Sequence, residues 1–317
     1  MDEHLNLNGR VAIVTGAGRG LGRAYAMELA SLGCKLVVND LGTAADGSGA
    51  NAGSAQATVD DIIAAGGQAT AHRGNAVTQA SEIVEAAIDA FGRLDILINN
   101  AGAVSGALFE ASSAEEWHGL FDIHLRSTVG MCRAAWQHLR RSDAAKIVNI
   151  ASNGMMGNKW LTSYSAAKGA IFGFSRSLAL EAADLGIAVN CIMPIAWTRM
   201  SDGIEDPRIS RIMERDFQPE RVAAFVAWLV HPETRVNNEL FEVGGGHATR
   251  IAFAMRPFVH ARDDSAGAWQ AVAEDLMSPG PLTPVTSAYD MLVREIVASS
   301  PDTVFDEGVT VENSMFR

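Results

Sequence analysis

The chain has 317 residues, 48% of them apolar, and a formal net charge of −12 at pH 7. That apolar supply supports one large buried core with an appendage and argues against global disorder. The acidic balance excludes a general nucleic-acid or anionic-membrane surface, which needs a basic field.

Cys34, Cys132 and Cys191 are odd in number, widely spaced and set in apolar surroundings. They predict buried free thiols in a reducing compartment, with no disulfide and no metal site. Met1 to Gly9 is polar, and no stretch approaches the ~18 uninterrupted apolar residues of a membrane span. The final Ser314-Met315-Phe316-Arg317 is not a Ser-Lys-Leu type signal. A cytoplasmic protein without a membrane partner is the expectation.

In chain order, Val11 to Thr15 is a short β-branched run that breaks into Gly16-Ala17-Gly18-Arg19-Gly20-Leu21-Gly22, and a helical pattern follows from Arg23 to Ser31. Strand, glycine turn and helix together predict a phosphate site, because the glycines permit close backbone approach and the helix start offers unpaired N–H groups. The next strand, Lys35 to Asn39, ends in Asp40, about 20 residues beyond the glycines. A carboxylate there accepts from an adenosine ribose and repels a 2′-phosphate, which favours NAD over NADP. Arg19 points the other way, and Asp40 is taken to decide.

Gly42 to Ser54 reads as a flexible insertion. A helix over 55–65 and a strand to about His72 lead to Asn75, read equally as a contact to an adenine edge and as a turn former. Helix Ser81 to Phe91 and strand Leu94 to Ile98 deliver Asn99-Asn100-Ala101-Gly102, where a glycine lets a flat ligand lie on the backbone and the asparagines can tie strand ends together. Repeated strand-then-helix units specify a doubly wound parallel sheet.

Glu115 to Leu139 reads as one long helix, and the strand Ala145 to Ile150 delivers Ala151-Ser152. Tyr164 and Lys168 stand four apart on the helix Ser163 to Leu185 and so share one face. A fixed cation beside a phenol favours the phenolate, so the lysine is expected to lower the tyrosine's pKa. Strand Ile187 to Met193 precedes Pro194-Ile195-Ala196, and 195–215 reads as a mobile lid in which Trp197, Met200 and Met213 can wall an apolar pocket. Helix Glu220 to Val230 and strand Glu239 to Val243 complete the sheet. Met255, Phe258, Trp269, Tyr289, Leu292 and Ile296 suggest that the tail is a packed, mainly helical extension, with a mobile end or docking arm from Ser299.

With T-G-A-G-R-G-L-G at 15 to 22, N-N-A-G at 99 to 102 and Y-S-A-A-K at 164 to 168, the chain resembles the short-chain dehydrogenase/reductases over about residues 8 to 247. The resemblance implies an α/β, Rossmann-like sheet of about seven parallel strands, nicotinamide hydride transfer, and a homodimer or homotetramer. It divides the chain into a catalytic domain, 1–247, and an extension, 248–317, packing on the core or on a neighbouring subunit. It assigns cofactor binding to Gly16, Gly18, Arg19, Gly20, Leu21, Gly22, Asp40, Asn75, Ala76, Asn100, Ala101, Gly102, Pro194, Ile195 and Thr198, with Tyr164 and Lys168. V-V-N-D-L-G at 37 to 42, H-L-R at 124 to 126, R-A-A-W at 133 to 136 and L-F-E-V-G-G-G at 240 to 246 are similar to one branch of the family. That branch holds the (3R)-hydroxyacyl-CoA dehydrogenase modules of type 2 multifunctional enzymes, with bacterial hydroxysteroid dehydrogenases as relatives.

On this resemblance Tyr164 is the proton-transfer residue, and Lys168 supports it and bonds the nicotinamide ribose. Ser152, 12 residues before the tyrosine where the family has 13, donates to the substrate oxygen, with Asn153 as an understudy. His124 takes the place of the family's helix asparagine. The expected substrate is a secondary alcohol or ketone, a 3-hydroxyacyl-CoA or a hydroxysteroid-like molecule, with another bulky alcohol as alternative. Arg199, Arg208 and Arg211 are candidates to dock acyl-CoA phosphates. A non-catalytic nucleotide sensor of the same fold is the reading from another class, and Tyr164 with Lys168 argues against it.

Overall fold

The computed structural model describes residues 5–43, 49, 53–201 and 206–299. Most of the Gly42 to Ser54 insertion, part of the expected lid and the end beyond Ser299 lie outside the described residues. The chain forms two compact units, 1–250 and 251–317.

In the first unit, strands and helices alternate: β1 (Val11–Thr15), α1 (Gly20–Ser31), β2 (Lys35–Asn39), α2 (Ser54–Ala64), β3 (Gln68–His72), α3 (Ala80–Phe91) and β4 (Ile96–Asn99). Then come α4 (Ala114–Phe121), α5 (Ser127–Leu139), β5 (Lys146–Ile150), α6 (Thr162–Ala183), β6 (Ala188–Ile195), α7 (Pro207–Asp216), α8 (Pro219–Leu229), β7 (Leu240–Gly244) and β8 (His247–Ile251).

The strands lie in the order β3-β2-β1-β4-β5-β6-β7-β8, and β3 through β7 pair in parallel. The sheet therefore has eight strands where about seven were expected. Only Gly245 and Gly246 separate β7 from β8, too short a link for a parallel crossover, so β8 turns back antiparallel. Both glycines have positive φ, 58° and 82°, which is what such a tight reversal requires.

Parallel strands covered on both faces must be apolar on both. Ala12 and Val14 of β1, with Ile96 and Ile98 of β4, join one core with α1 and α8. Val11, Ile13 and Leu97 point the opposite way into a second core with α3 and α5. All three cysteines are buried and free. The strand order reverses between β1 and β4, which opens a crevice at their carboxyl ends.

The expected long helix over 115–139 is interrupted. Between α4 and α5, Asp122–Arg126 forms a π-helical turn centred on His124, a feature that helical periodicity alone does not signal. The second unit contains a two-stranded piece, β9 (Ala254–Met255) with β10 (Thr283–Pro284), besides α9 (Ala266–Ala271), α10 (Ala273–Met277) and α11 (Ala288–Ser299). Among the described residues no helix is long and apolar enough to cross a membrane, and no cluster of His, Cys, Asp and Glu is arranged to hold a metal.

Candidate active site

Two clefts open at the carboxyl edge of the sheet. The first, about 290 Å³, is lined by Gly16, Arg19, Gly20, Leu21, Gly22, Asp40, Asn75, Ala76, Asn100, Ala101, Gly102 and Thr198 among others. The second, about 270 Å³, is lined by His124, Ser152, Asn153, Tyr164, Lys168 and Pro194 among others. They share Leu21, Asn100, Gly102 and Thr198 and so form one continuous crevice.

In the first cleft the glycine turn is held by its surroundings. A Cβ on Gly22 would stand 2.2 Å from the Gly16 carbonyl oxygen, and one on Gly16 would stand 2.9 Å from the Ala101 Cα. Only glycine allows this approach of helix, turn and β4 end. The first turn of α1 carries no acidic residue and no side-chain cap, so its N–H groups suit an anion. The backbone cradle and the uncapped helix start fit a dinucleotide pyrophosphate.

Gly18 lies behind the turn. Its amide donates to Asp40 Oδ2 at 2.7 Å, and a Cβ there would stand 2.8 Å from the same oxygen. Asp40 Oδ1 also accepts from the Gly42 amide at 2.6 Å and the Ser54 hydroxyl at 3.1 Å. Three of a carboxylate's roughly four acceptor positions are thus used by the chain itself, and Ser54 is a partner that the sequence did not disclose. Asn75 closes a turn, its Oδ1 accepting from the Val77 amide at 2.8 Å, and it stands on the lining of the first cleft.

The asparagines tie strand ends as expected. Asn100 Nδ2 donates to the Thr15 carbonyl at 2.9 Å. Asn99 Nδ2 donates to Asn149 Oδ1 at 2.8 Å, and Asn149 Nδ2 donates to Ser175 Oγ on α6 at 2.8 Å. Pro194 and Ala196 line the second cleft, while Ile195 between them pairs with Gly244 on β7 and points its side chain to the other face of the sheet.

The second cleft is built by α6. Among its buried residues Tyr164, Ala167, Lys168, Ile171, Ser175, Ala179 and Ala182 recur with helical period. The tyrosine and lysine begin the stripe that docks the helix on the sheet. Lys168 Nζ donates to the Ile150 carbonyl at 2.8 Å and lies 5.8 Å from the centroid of the Tyr164 ring. Burial pulls the Lys168 ammonium down to about 8.

Burial also pushes the Tyr164 phenol up, and a hydrogen bond with Ser152 draws it partly back. Removal of the phenol from water is the larger cause and the Ser152 bond the smaller, so the direction is opposite to the lowering expected from Lys168. The same bond places Ser152, rather than Ala151, at the phenol. The Ser152 Oγ accepts from the Gly154 amide at 3.1 Å, which fixes the short turn that shortens the spacing.

His124 is buried, with Nε2 2.7 Å from the Ala103 carbonyl oxygen and its ring edge-on to Tyr164 at 5.4 Å between centroids. A carbonyl only accepts, so Nε2 carries the proton. Burial first, and then the Lys168 charge, holds the imidazole well below its ordinary pKa. It is a neutral wall behind the phenol. Its Nδ1 is buried and has no partner among the described residues.

The expected lid is partly helical. Asp206 caps α7 by accepting from the Arg208 amide at 2.8 Å, and Pro207 occupies its first turn. Trp197 and Met213 are half-buried and do not line the catalytic cleft, and the side chain of Met200 lies outside the described residues. The arginine candidates do not gather there either. Arg208 pairs with Asp206 at 2.7 Å, Arg211 is exposed, and Arg199 lines the nucleotide cleft. Sequence reasoning missed Val104, Asn158, Leu161, Ala196 and Ser201 as lining residues, since none of them belongs to a motif of its own.

A family model described as short chain dehydrogenase matches residues 10–207. The chain belongs to the short-chain dehydrogenase family, oxidoreductases that bind a nicotinamide dinucleotide and act on hydroxyl and keto groups of small molecules. It is 40% identical over 253 residues to the peroxisomal hydratase-dehydrogenase-epimerase of Neurospora crassa, covering 79% of this chain and 28% of that protein. The chain thus spans about a quarter of that relative's length. It is 34% identical over 250 residues to the 3-oxoacyl-[acyl-carrier-protein] reductase of Synechocystis, covering 76% of this chain and 97% of the relative. A solved 7α-hydroxysteroid dehydrogenase complexed with NADH and 7-oxo glycochenodeoxycholic acid superposes with a TM-score of 0.68 at 28% identity, covering 76% of this chain and 95% of that one.

Proposed function

We propose that the chain is an NAD-dependent dehydrogenase interconverting a bulky, hydroxysteroid-like secondary alcohol and its ketone. The observation that carries this reading is the meeting of Tyr164, Ser152 and Lys168 in a cleft continuous with the glycine cradle. When bound in that cradle, a nicotinamide supplies the hydride acceptor for oxidation and the donor for reduction.

The chain's own residues handle the proton. In oxidation Tyr164 Oη takes the hydroxyl proton, and in reduction it returns one to the carbonyl oxygen. Ser152 donates to the same oxygen and fixes its distance from the phenol. Lys168 favours the phenolate as it forms, because its charge is buried, where little water screens it. His124, neutral and held by Ala103, keeps the Tyr164 ring in place. Asp40 at the adenosine end favours NAD, since a 2′-phosphate would meet a carboxylate there.

The substrate reading follows from the lining. Val104, Ile150, Leu161 and Ala196 are apolar, and among the described lining residues of this cleft Lys168 is the sole cation. Without an arginine cluster there, a neutral polycyclic alcohol comes first. A 3-hydroxyacyl thioester is second, favoured by the likeness to a 3-oxoacyl reductase. NADH formation measured with a panel of hydroxysteroids and 3-hydroxyacyl-CoAs tests both. Turnover that Tyr164→Phe abolishes supports the reading; equal, low rates for wild type and variant on every substrate would remove it.

A further inference from the structure

The reacting groups share the lining of the catalytic cleft with Asn158 and Leu161, from the segment just before α6. There Trp160 has φ +76°, a left-handed backbone that is an outlier for so bulky a residue. Glycine would hold that conformation without steric cost.

The neighbours impose it. The Leu161 amide donates to the Asn158 carbonyl at 3.2 Å, and Leu161 forms a parallel bridge with Ala107. A Cβ on Gly106 would stand 3.0 Å from the Trp160 carbonyl oxygen, so the backbone has little room to relax. Asn158 and Leu161 both line the catalytic cleft, yet the tryptophan between them is 52% exposed. Lys159 Nζ lies 5.5 Å from its ring centroid, a charged companion rather than a hydrophobic one. Met156, earlier in the same segment, is 67% exposed. Core packing therefore explains neither side chain. Strained residues persist where the surroundings over-determine them, and they gather at ligand clamps.

We infer that Trp160 is a specificity-determining residue whose indole forms a shelf at the mouth of the catalytic cleft and stacks on the flat hydrocarbon body of the substrate. The inference rests on the dehydrogenase reading above and deepens it, since it names what lies beyond the carbinol carbon: a planar or polycyclic apolar body, not a short chain. An indole face suits such a body because it offers a large rigid area with few rotors to freeze.

Trp160→Gly and Trp160→Phe, assayed with a hydroxysteroid and with a short secondary alcohol such as 2-butanol, test it. Trp160→Gly relieves the backbone and is expected to melt at or above the wild-type temperature. Its KM for the hydroxysteroid rises about tenfold, the scale of one lost aromatic contact. Its kcat, and its KM for the short alcohol, stay within about twofold, and Trp160→Phe restores most of the hydroxysteroid KM. A lower melting temperature with equal losses on both alcohols overturns the inference, as does an unchanged hydroxysteroid KM in Trp160→Gly. Quenching of tryptophan fluorescence by an oxosteroid needs no turnover, so it separates this inference from the reading beneath it. Quenching that is lost in Trp160→Phe supports the shelf even if no alcohol is oxidised, and equal quenching in both proteins removes it.

Discussion

At the amino edge of the sheet Asp95 is wholly buried, and it accepts from the Val11 amide at 2.9 Å, Arg93 at 2.6 and 2.8 Å and the Ser142 hydroxyl at 2.5 Å. At the carboxyl edge Lys168 is nearly as deeply buried, and among the described residues no carboxylate pairs with it. A buried charge that is fully partnered pins structure, while one left with a single carbonyl stores free energy against the fold. Asp95 joins the start of β1 to the loop before β5. Lys168 is held in readiness for chemistry, and the fold carries the cost.

Substitutions at the two edges should separate these roles. The largest effect is expected from Tyr164→Phe, which removes the proton carrier without changing the packed ring. A loss of about 10²–10⁴-fold in kcat/KM, with urea unfolding unchanged, is the expected outcome.

Lys168→Met should also lose activity, by about a hundredfold or more, yet gain stability because a buried cation is replaced by an apolar side chain. The sign can be checked against pH. The folded value is about 8 and the ordinary value 10.5. Between them the unfolded chain holds a proton that the folded chain lacks, so wild-type stability rises with pH in that window. Below about pH 8 the full penalty acts. The advantage of Lys168→Met in thermal melts should therefore be greatest below pH 8 and shrink towards pH 10.5; an advantage that grows with pH would contradict the comparison.

Asp95→Ala should do the reverse, costing about 1–3 kcal/mol in urea titrations by leaving the Val11 amide and the Ser142 hydroxyl without their acceptor, while Asp143 still compensates Arg10 and Arg93 and kcat per folded molecule holds. The smallest effect is expected at Asp40. Asp40→Ala should improve NADP use relative to NAD by about tenfold in kcat/KM ratios, the scale of one like-charge contact. A wild type that already prefers NADP would show that Arg19 governs instead.

The parts of this molecule legible in its sequence are those fixed by local chemistry. The glycine turn, the β-branched strands and the buried stripe of α6 announce themselves because periodicity and φ requirements are written residue by residue. The tethers from Asn99 and Asn100 were also readable, since those residues sit at a strand end. What was not legible depends on contacts distant in sequence or on count. Ser54 reaches Asp40 from 14 positions further along the chain, and the π-helical turn at His124 adds one residue to a helix without altering its composition. The eighth strand hides behind Gly245 and Gly246, which read as an ending and act as a hairpin. The rise of the Tyr164 phenol was missed because burial on the folded sheet, not the spacing to Lys168, decides it.

The three free cysteines turn the two edges into separately readable clocks. Cys34 lies at the amino edge, its thiol 3.5 Å from the Arg10 carbonyl oxygen, whereas Cys191 lies on β6 within the influence of Lys168. Burial pushes the Cys34 thiol up, and it pushes Cys132 and Cys191 each up to about 12. Alkylating reagents attack thiolates, so none of the three should react until its own surroundings open. The order in which they gain a label in mild denaturant, read by peptide mass, therefore reports which edge loosens first.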